Sequence, residues 1–183
     1  MTRIRSIFVH WLPLAAAVTL MAGLMYAAVQ QDIRQSANDP QIQMAEDAAQ
    51  RLTRGEAPAS VAPPSGFDIA QTLSPFMEVF DQTGKPIAAS ALLHGQLPLV
   101  PGGVFDFVRQ HGEESVTWQP EPAVRQAAVI VAYSGTQPGF VMAARSMREV
   151  EAQEDRILKL IAAGWALTMG AVLVVVVFAD LIA

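Results

Sequence analysis

Two unbroken apolar runs, residues 7–29 and 160–182, constrain this chain more than any other feature. A helix rises about 1.5 Å per residue, so roughly 20 apolar residues cross the hydrocarbon core of a bilayer. In lipid every backbone polar group must be satisfied within the protein, which leaves the helix as the form for such a run. The alternative is a helix buried in a soluble core, and 183 residues are too few to surround two of them. The expected organisation is a tail at 1–6, a transmembrane helix at 7–29, a folded segment at 30–159 and a second transmembrane helix at 160–183. The central segment then stands on one side of a membrane, held at both ends.

Arg3 and Arg5 in the short tail place both termini in the cytoplasm by the positive-inside rule, and the central segment outside the inner membrane, periplasmic or extracellular. Arg34, Arg148, Arg156 and Lys159 flank the spans on the other side and argue the opposite way. Long segments cross largely regardless of charge, so the short tail decides. The first run exceeds the roughly 7–15 apolar residues of a cleaved signal, which favours an uncleaved anchor.

In both runs small residues recur at every fourth position: Ala15, Thr19, Gly23 and Ala27 in the first, Ala162, Ala166 and Gly170 in the second. Small residues let helix backbones approach closely in lipid, where no hydrophobic drive operates between helices. The spans are expected to pack antiparallel along these stripes, or to pair through them between copies. The alternative is that alanine and glycine are simply common in spans. Pro13 and His10 sit near the cytoplasmic end of the first run, His10 as an interfacial side chain, and Asp180 ends the second in headgroups or water.

Between Gln30 and Lys159, sixteen acidic side chains stand against ten basic ones, which argues against nucleic acid or an anionic lipid surface as partner. The absence of cysteine excludes disulfides, thiolate metal sites and cysteine nucleophiles. His10, His94 and His111 share neither metal spacing nor location, and no G-x-S-x-G is present. His111-Gly112-Glu113-Glu114 reads as a polar turn after a helix. No enzyme and no cofactor is expected.

The polar run to Asn38 continues the first helix into water, and Asp39-Pro40 restarts it as cap and first residue. Ile42, Ala45, Ala48, Ala49 and Leu52 then share one helical face up to Gly55. Residues 56–66, with Pro58, Pro63 and Pro64, read as an irregular linker. Phe76–Asp81 and Pro86–Ser90 read as a hairpin turning at 82–85. Residues 91–103 form a loop-rich crossing, and Val104–Gln110 a short helix with Phe105 and Val108 inward. Strands are expected at Ser115–Gln119, Val124–Tyr133 and Phe140–Arg145. Ser146 and Glu149 form a capping box for a helix that runs unbroken towards the second span. The fold class is α+β, with a small antiparallel sheet and a long helix entering that span.

This order, together with Glu78-Val79-Phe80-Asp81-Gln82-Thr83-Gly84-Lys85-Pro86-Ile87 and the stretch Gly139–Val150, resembles the PAS-like and single-Cache extracytoplasmic sensor domains of bacterial membrane receptors over roughly 76–164. The resemblance implies a pocket between the sheet and the crossing loops. There Trp118 and Tyr133 would offer walls and Arg125 would face a carboxylate ligand. The commoner roles are core or rim for Trp and Tyr and a solvated side chain for Arg. Such receptors continue into a cytoplasmic output module, and this sequence stops after Ala183, so a sensor without its own output is expected. Two functions follow as expectations. One is a non-enzymatic two-pass membrane protein whose domain binds a small ligand or a protein and signals through a separate membrane partner or a second copy. The other is a structural accessory subunit of a larger bacterial membrane complex.

Overall fold

In the computed structural model, which describes residues 2–36 and 39–182 and side chains at 5–33 and 40–182, both apolar runs are helical. Helix α1 covers Thr2–Ser36 and α5 covers Arg148–Ile182, 35 residues each. Both are long and apolar enough to cross a membrane, and only 6% of each apolar window is buried, unlike the core helix of a soluble protein. The expected cap at Asp39 lies outside the described side chains. By contacts the chain forms two units, residues 1–34 with 151–183, and residues 35–150.

Within the first unit the helices pack antiparallel. Trp165 Nε1 donates to Thr19 Oγ1 at 3.0 Å. Ile7, Phe8 and Trp11 meet Leu173 around one hollow, and Val18, Met21 and Met25 meet Leu160, Ile161 and Gly164 around another. The small-residue stripes are not this contact line. Ala15 is buried and Thr19 takes the Trp165 bond, but Gly23, Ala27, Ala162, Ala166 and Gly170 are exposed. A Cβ added at Gly23 or Gly170 would meet nothing within 4 Å. The reason is rotational: at 3.6 residues per turn, steps of four drift about 40° each and leave a straight seam. The more enclosed positions Trp11, Ala15, Val18, Ala22 and Tyr26 are spaced by four, three, four and four, close to the helical period, and so stay on one side.

The second unit is built on a five-stranded antiparallel sheet of β2 (Phe76–Asp81), β3 (Pro86–Ala89), β5 (Glu113–Glu121), β6 (Val124–Tyr133) and β7 (Gly139–Ser146), in the order β3-β2-β7-β6-β5. Helix α2 (Asp39–Thr53) covers one face, where Ala45, Ala48, Ala49 and Leu52 meet Val79, Val129, Val141 and Ala143. Helix α4 (Gly102–His111) and the crossing segment cover the other, where Phe105 and Val108 meet Phe80, Ile130, Phe140 and Met142. Alternation along β2 sorts its side chains accordingly, Phe76 and Phe80 to the α4 face, Met77 and Val79 to the α2 face.

The β2–β3 turn is held by Asp81, whose Oδ1 accepts from the Thr83 hydroxyl at 2.6 Å and from the Thr83 and Lys85 N–H groups at 2.8 and 3.0 Å. The Thr83 hydroxyl, with the Lys85 N–H, holds this carboxyl below its ordinary range. Gly84 takes φ 82°, a conformation that favours glycine.

Several elements depart from the expectations. Residues 56–66 contain a short helix α3 (Pro58–Val61), and Val61 and Ala62 are buried against the α2 face, so this stretch is core and not only linker. Arg51 pairs with Glu56 at its start. A two-residue strand β1 (Phe67–Asp68) pairs in parallel with β4 (Ala91–Leu92) inside the crossing. Strand β5 begins at Glu113, directly after the turn at Gly112, because Glu113 and Glu114 pair with Val131 and Ile130. Ser146 does not close a capping box. Its backbone still belongs to the β7 ladder opposite Gln126, its Oγ accepts from the Arg148 N–H at 3.4 Å, and Glu149 bonds Arg145 at 3.2 Å.

Two predictions follow from this packing. A Cβ at Gly139 would lie 2.2 Å from the Phe80 carbonyl oxygen, so Gly139→Ala should lower stability by at least about 1–3 kcal/mol in denaturant titration. Thr19→Val should weaken the α1–α5 pairing by roughly 0.6–1.7 kcal/mol in a bilayer-mimetic unfolding assay, while Gly23→Leu and Gly170→Leu leave it unchanged. Equal losses in all three would return the stripes to the seam.

Candidate functional site

The α4 face of the sheet carries an acidic residue among its aromatic ones. Glu78 follows Phe76 by two positions and precedes Phe80 by two, so the pleat turns its side chain to the same face. Its register partners are Ala89 on β3 and Met142 on β7. It is 0% exposed, the only carboxylic or basic side chain among the described residues that is buried. Neither carboxyl oxygen has a hydrogen-bond partner. Burial, the sole cause, pushes its pKa up to about 8, so the group is a neutral acid at pH 7. Even uncharged, an enclosed polar group without a partner costs about 1–3 kcal/mol.

The buried cluster on this face of the sheet is apolar. Ala91, Ala128 and Ala144 join Ile69, Phe105, Val108 and Trp118 in one buried cluster. The Phe105 ring sits between those of Phe80 and Phe140, with centroids 4.9 and 5.0 Å away. Gln126, buried on the same face opposite Ser146, directs its amide at the Ile69 carbonyl across 3.4 Å. The remaining polar contacts lie at the rim. His94, at φ 49°, places Nε2 3.0 Å from both carboxylate oxygens of Glu121 and Nδ1 3.5 Å from Asp68. Arg109 donates to the Gln82 carbonyl at 2.8 Å and lies 5.3 Å from the Phe140 ring centroid.

The three residues that the family resemblance singles out do not line one pocket. Trp118 is 6% exposed and belongs to the α4-face cluster, opposite Gln126. Tyr133 lies on the α2 face, its hydroxyl 3.4 Å from the Phe80 carbonyl, and burial raises its phenol pKa. It borders a cleft of about 190 Å³ with Leu52, Glu56, Pro58, Thr136 and Gln137. Arg125 is exposed at the start of β6, eight positions from Tyr133, or about 26 Å along a strand. Glu78 escaped sequence reasoning although its signal was present: an acid in register with two inward aromatic positions of one strand.

A second group of unsatisfied atoms lies on the α2 face. Both amide atoms of the fully buried Gln41 and the Nε of Arg145 lack partners. Gln41 is one turn before Ala45, which packs with Ala143, and Arg145 is two residues beyond Ala143 on the same side of β7. Among the described residues no cluster of three His, Asp or Glu could hold a metal ion. What the geometry offers chemically is therefore a proton held in a dry site at Glu78, with a carbonyl oxygen and an O–H both free to bond.

No protein-family model matches this chain, and a search of curated proteins finds no match.

The buried carboxyl sets a pH dependence. Folded Glu78 keeps its proton up to about pH 8, whereas the unfolded side chain, at its ordinary value of 4.5, has lost it by neutrality. The folded state thus binds more protons in between, and its stability should fall as pH rises, by about 1.4 kcal/mol per pH unit, until the slope levels off near the folded pKa. Denaturant titrations from pH 5 to 9 should show this slope in the wild type and lose it in Glu78→Gln.

Proposed function

We propose that residues 30–159 form a sensor-like domain displayed outside the inner membrane by two transmembrane helices, and that the domain answers a small ligand or a protein by moving α5. A partner in the membrane reads that movement. The observation that carries this reading is the handover from sheet to helix. Strand β7, paired on both sides, ends at Ser146, and α5 begins at Arg148 with only Met147 between them. Arg148 fastens the junction, donating from Nη2 to the Thr72 carbonyl at 3.1 Å and from Nε to Ser146 Oγ at 3.3 Å. A change at the centre of the sheet therefore reaches a helix that continues without interruption to Ile182. The order of helix, hairpin, crossing, three strands and exit helix supports the PAS-like or single-Cache resemblance, and the tail arginines support the orientation.

A specific observation favours the second reading, an accessory subunit. Leu97, Leu99 and Phe107 are exposed on the crossing and α4, Leu99 by 73%, and Gly23, Ala27, Ala162, Ala166 and Gly170 of the small-residue stripes are exposed on α1 and α5. Such surfaces suit permanent contacts.

Gentle extraction of the full chain, with crosslinking before solubilisation, separates the two. Sensing predicts a membrane partner whose yield varies with growth condition. A fixed stoichiometry with one complex under every condition would overturn it in favour of the accessory reading.

A further inference from the structure

We propose that Glu78 is a proton-sensing group and that the segment 91–111 is its lid: loss of the carboxyl proton opens this segment from the sheet. The inference rests on the sensor reading and names its stimulus, the proton concentration outside the membrane.

The lid is defined by where its backbone bonds go. At one end Ser90 is fixed to β2, its N–H donating to the Met77 carbonyl and its Oγ accepting from the Met77 N–H, both at 2.8 Å. At the other, Gly112, at φ 89°, accepts from the Ala132 N–H of β6 at 2.9 Å. Between these two points the main-chain bonds of the described residues stay within the segment or go to β1: Ile69 to Leu92, Leu93 to Gln96 and back, Val104 to Pro101. No ladder ties 91–111 to the five-stranded sheet. What holds it down is apolar contact through Ala91, Phe105 and Val108, with Leu93, Val100 and Val104 partly buried, and polar contacts at the rim. A segment anchored at both ends and held between them by side chains opens without breaking the sheet, as locally unfolding units do.

Ionisation supplies the force. On the strands beside it Glu78 has Ala89 and Met142 as register partners, and the buried cluster on its face of the sheet takes Ala91, Phe105 and Val108 from the lid and Ile69 from the segment before it; none of these titrates or carries charge. The ionisable groups of this face lie further out: Glu114 three strands away in the row of Glu78, and Asp68, His94, Glu121, Asp106 and Arg109 around the rim. A carboxylate formed at Glu78 thus has no cation to pair with, and water reaches it only if the lid lifts. The rise of its pKa to about 8 is the same statement seen from the proton's side. Because 91–111 lies between β3 and β5 in the chain, its release changes the load on the sheet whose central strand leads into α5.

The test uses the full chain in lipid nanodiscs, with amide hydrogen exchange of wild type, Glu78→Gln and Glu78→Met at pH 5 to 9. The wild-type to variant ratio of rates cancels the intrinsic pH dependence of exchange. In peptides from 91–111 that ratio should climb up to tenfold per pH unit and level off near pH 8, with both variants agreeing. Amides of β6 and β7 should lag behind. A ratio that stays flat overturns the proposal, as does a rise shared equally by β6 and β7, which would be global unfolding. If one variant fails to fold, the other decides. A flat ratio leaves the sensor reading to the extraction experiment, whereas lid opening alongside a fixed-stoichiometry complex keeps the lid and removes the sensor.

Discussion

Strand β7 is the constraint on which the rest of the domain depends. It pairs with β2 over six residues and with β6 over eight, and nearly all of its side chains are buried. A strand enclosed on both faces reads as a continuous apolar run, here Phe140 to Ala144, and its small members are what let both layers approach. Ala143 admits Ala45 of α2 on one side, and Ala144 lies under the α4-face cluster on the other. Gly139 allows the Phe80 carbonyl so close that no side chain fits. The strand that sets the packing of both faces is also the one that leads into α5, so any strain in the sheet has a short path to the helix.

Against this background Glu78 is an expense with no structural return. A methionine or leucine there would add apolar contact at the centre of a well-packed face and remove an unsatisfied acid. Other buried polar groups of the domain are at least partly engaged, Gln126 with the Ile69 carbonyl and Ser146 with Arg148. Gln41 is the exception, and it sits with the unpaired Nε of Arg145 near the end of β7 that leads into α5. The unsatisfied polar atoms of the domain's sheet thus fall beside its central strand or on it: Glu78 opposite Met142, Arg145 within β7, and Gln41 over its end.

How much of this was legible in the sequence depends on whether the signal was local. The spans, the α2 face, the hairpin at Asp81 and the inward positions Phe105 and Val108 follow from periodicity and turn chemistry, which a single segment displays by itself. The parallel β1–β4 pair does not, because residues 67–68 and 91–92 make a strand only in each other's company. The burial of Val61 and Ala62 is likewise set by what they meet and not by their proline-rich surroundings. For the site, the sequence offers amphipathic and cationic residues as candidates. Trp118, Tyr133 and Arg125 look alike in sequence, yet the pleat sends Trp118 to one face and Tyr133 to the other. Glu78 was readable in principle, since strand alternation alone sets it between Phe76 and Phe80. Its lack of a partner was not, because that depends on β3, β7 and the lid together.

The two functional readings place different demands on the domain, and the buried acid bears on that difference. A subunit that serves as a permanent contact gains from maximum stability over its working pH range, and its exposed Leu97, Leu99 and Phe107 would be covered by the complex. An enclosed carboxyl works against that end, since each step towards alkaline pH makes the closed form less favourable relative to an open one. A sensor needs a state that is closed but not overwhelmingly so, with one group whose preference differs between closed and open forms. Glu78 has that property by position alone: dry when the lid is down and hydrated when it is up.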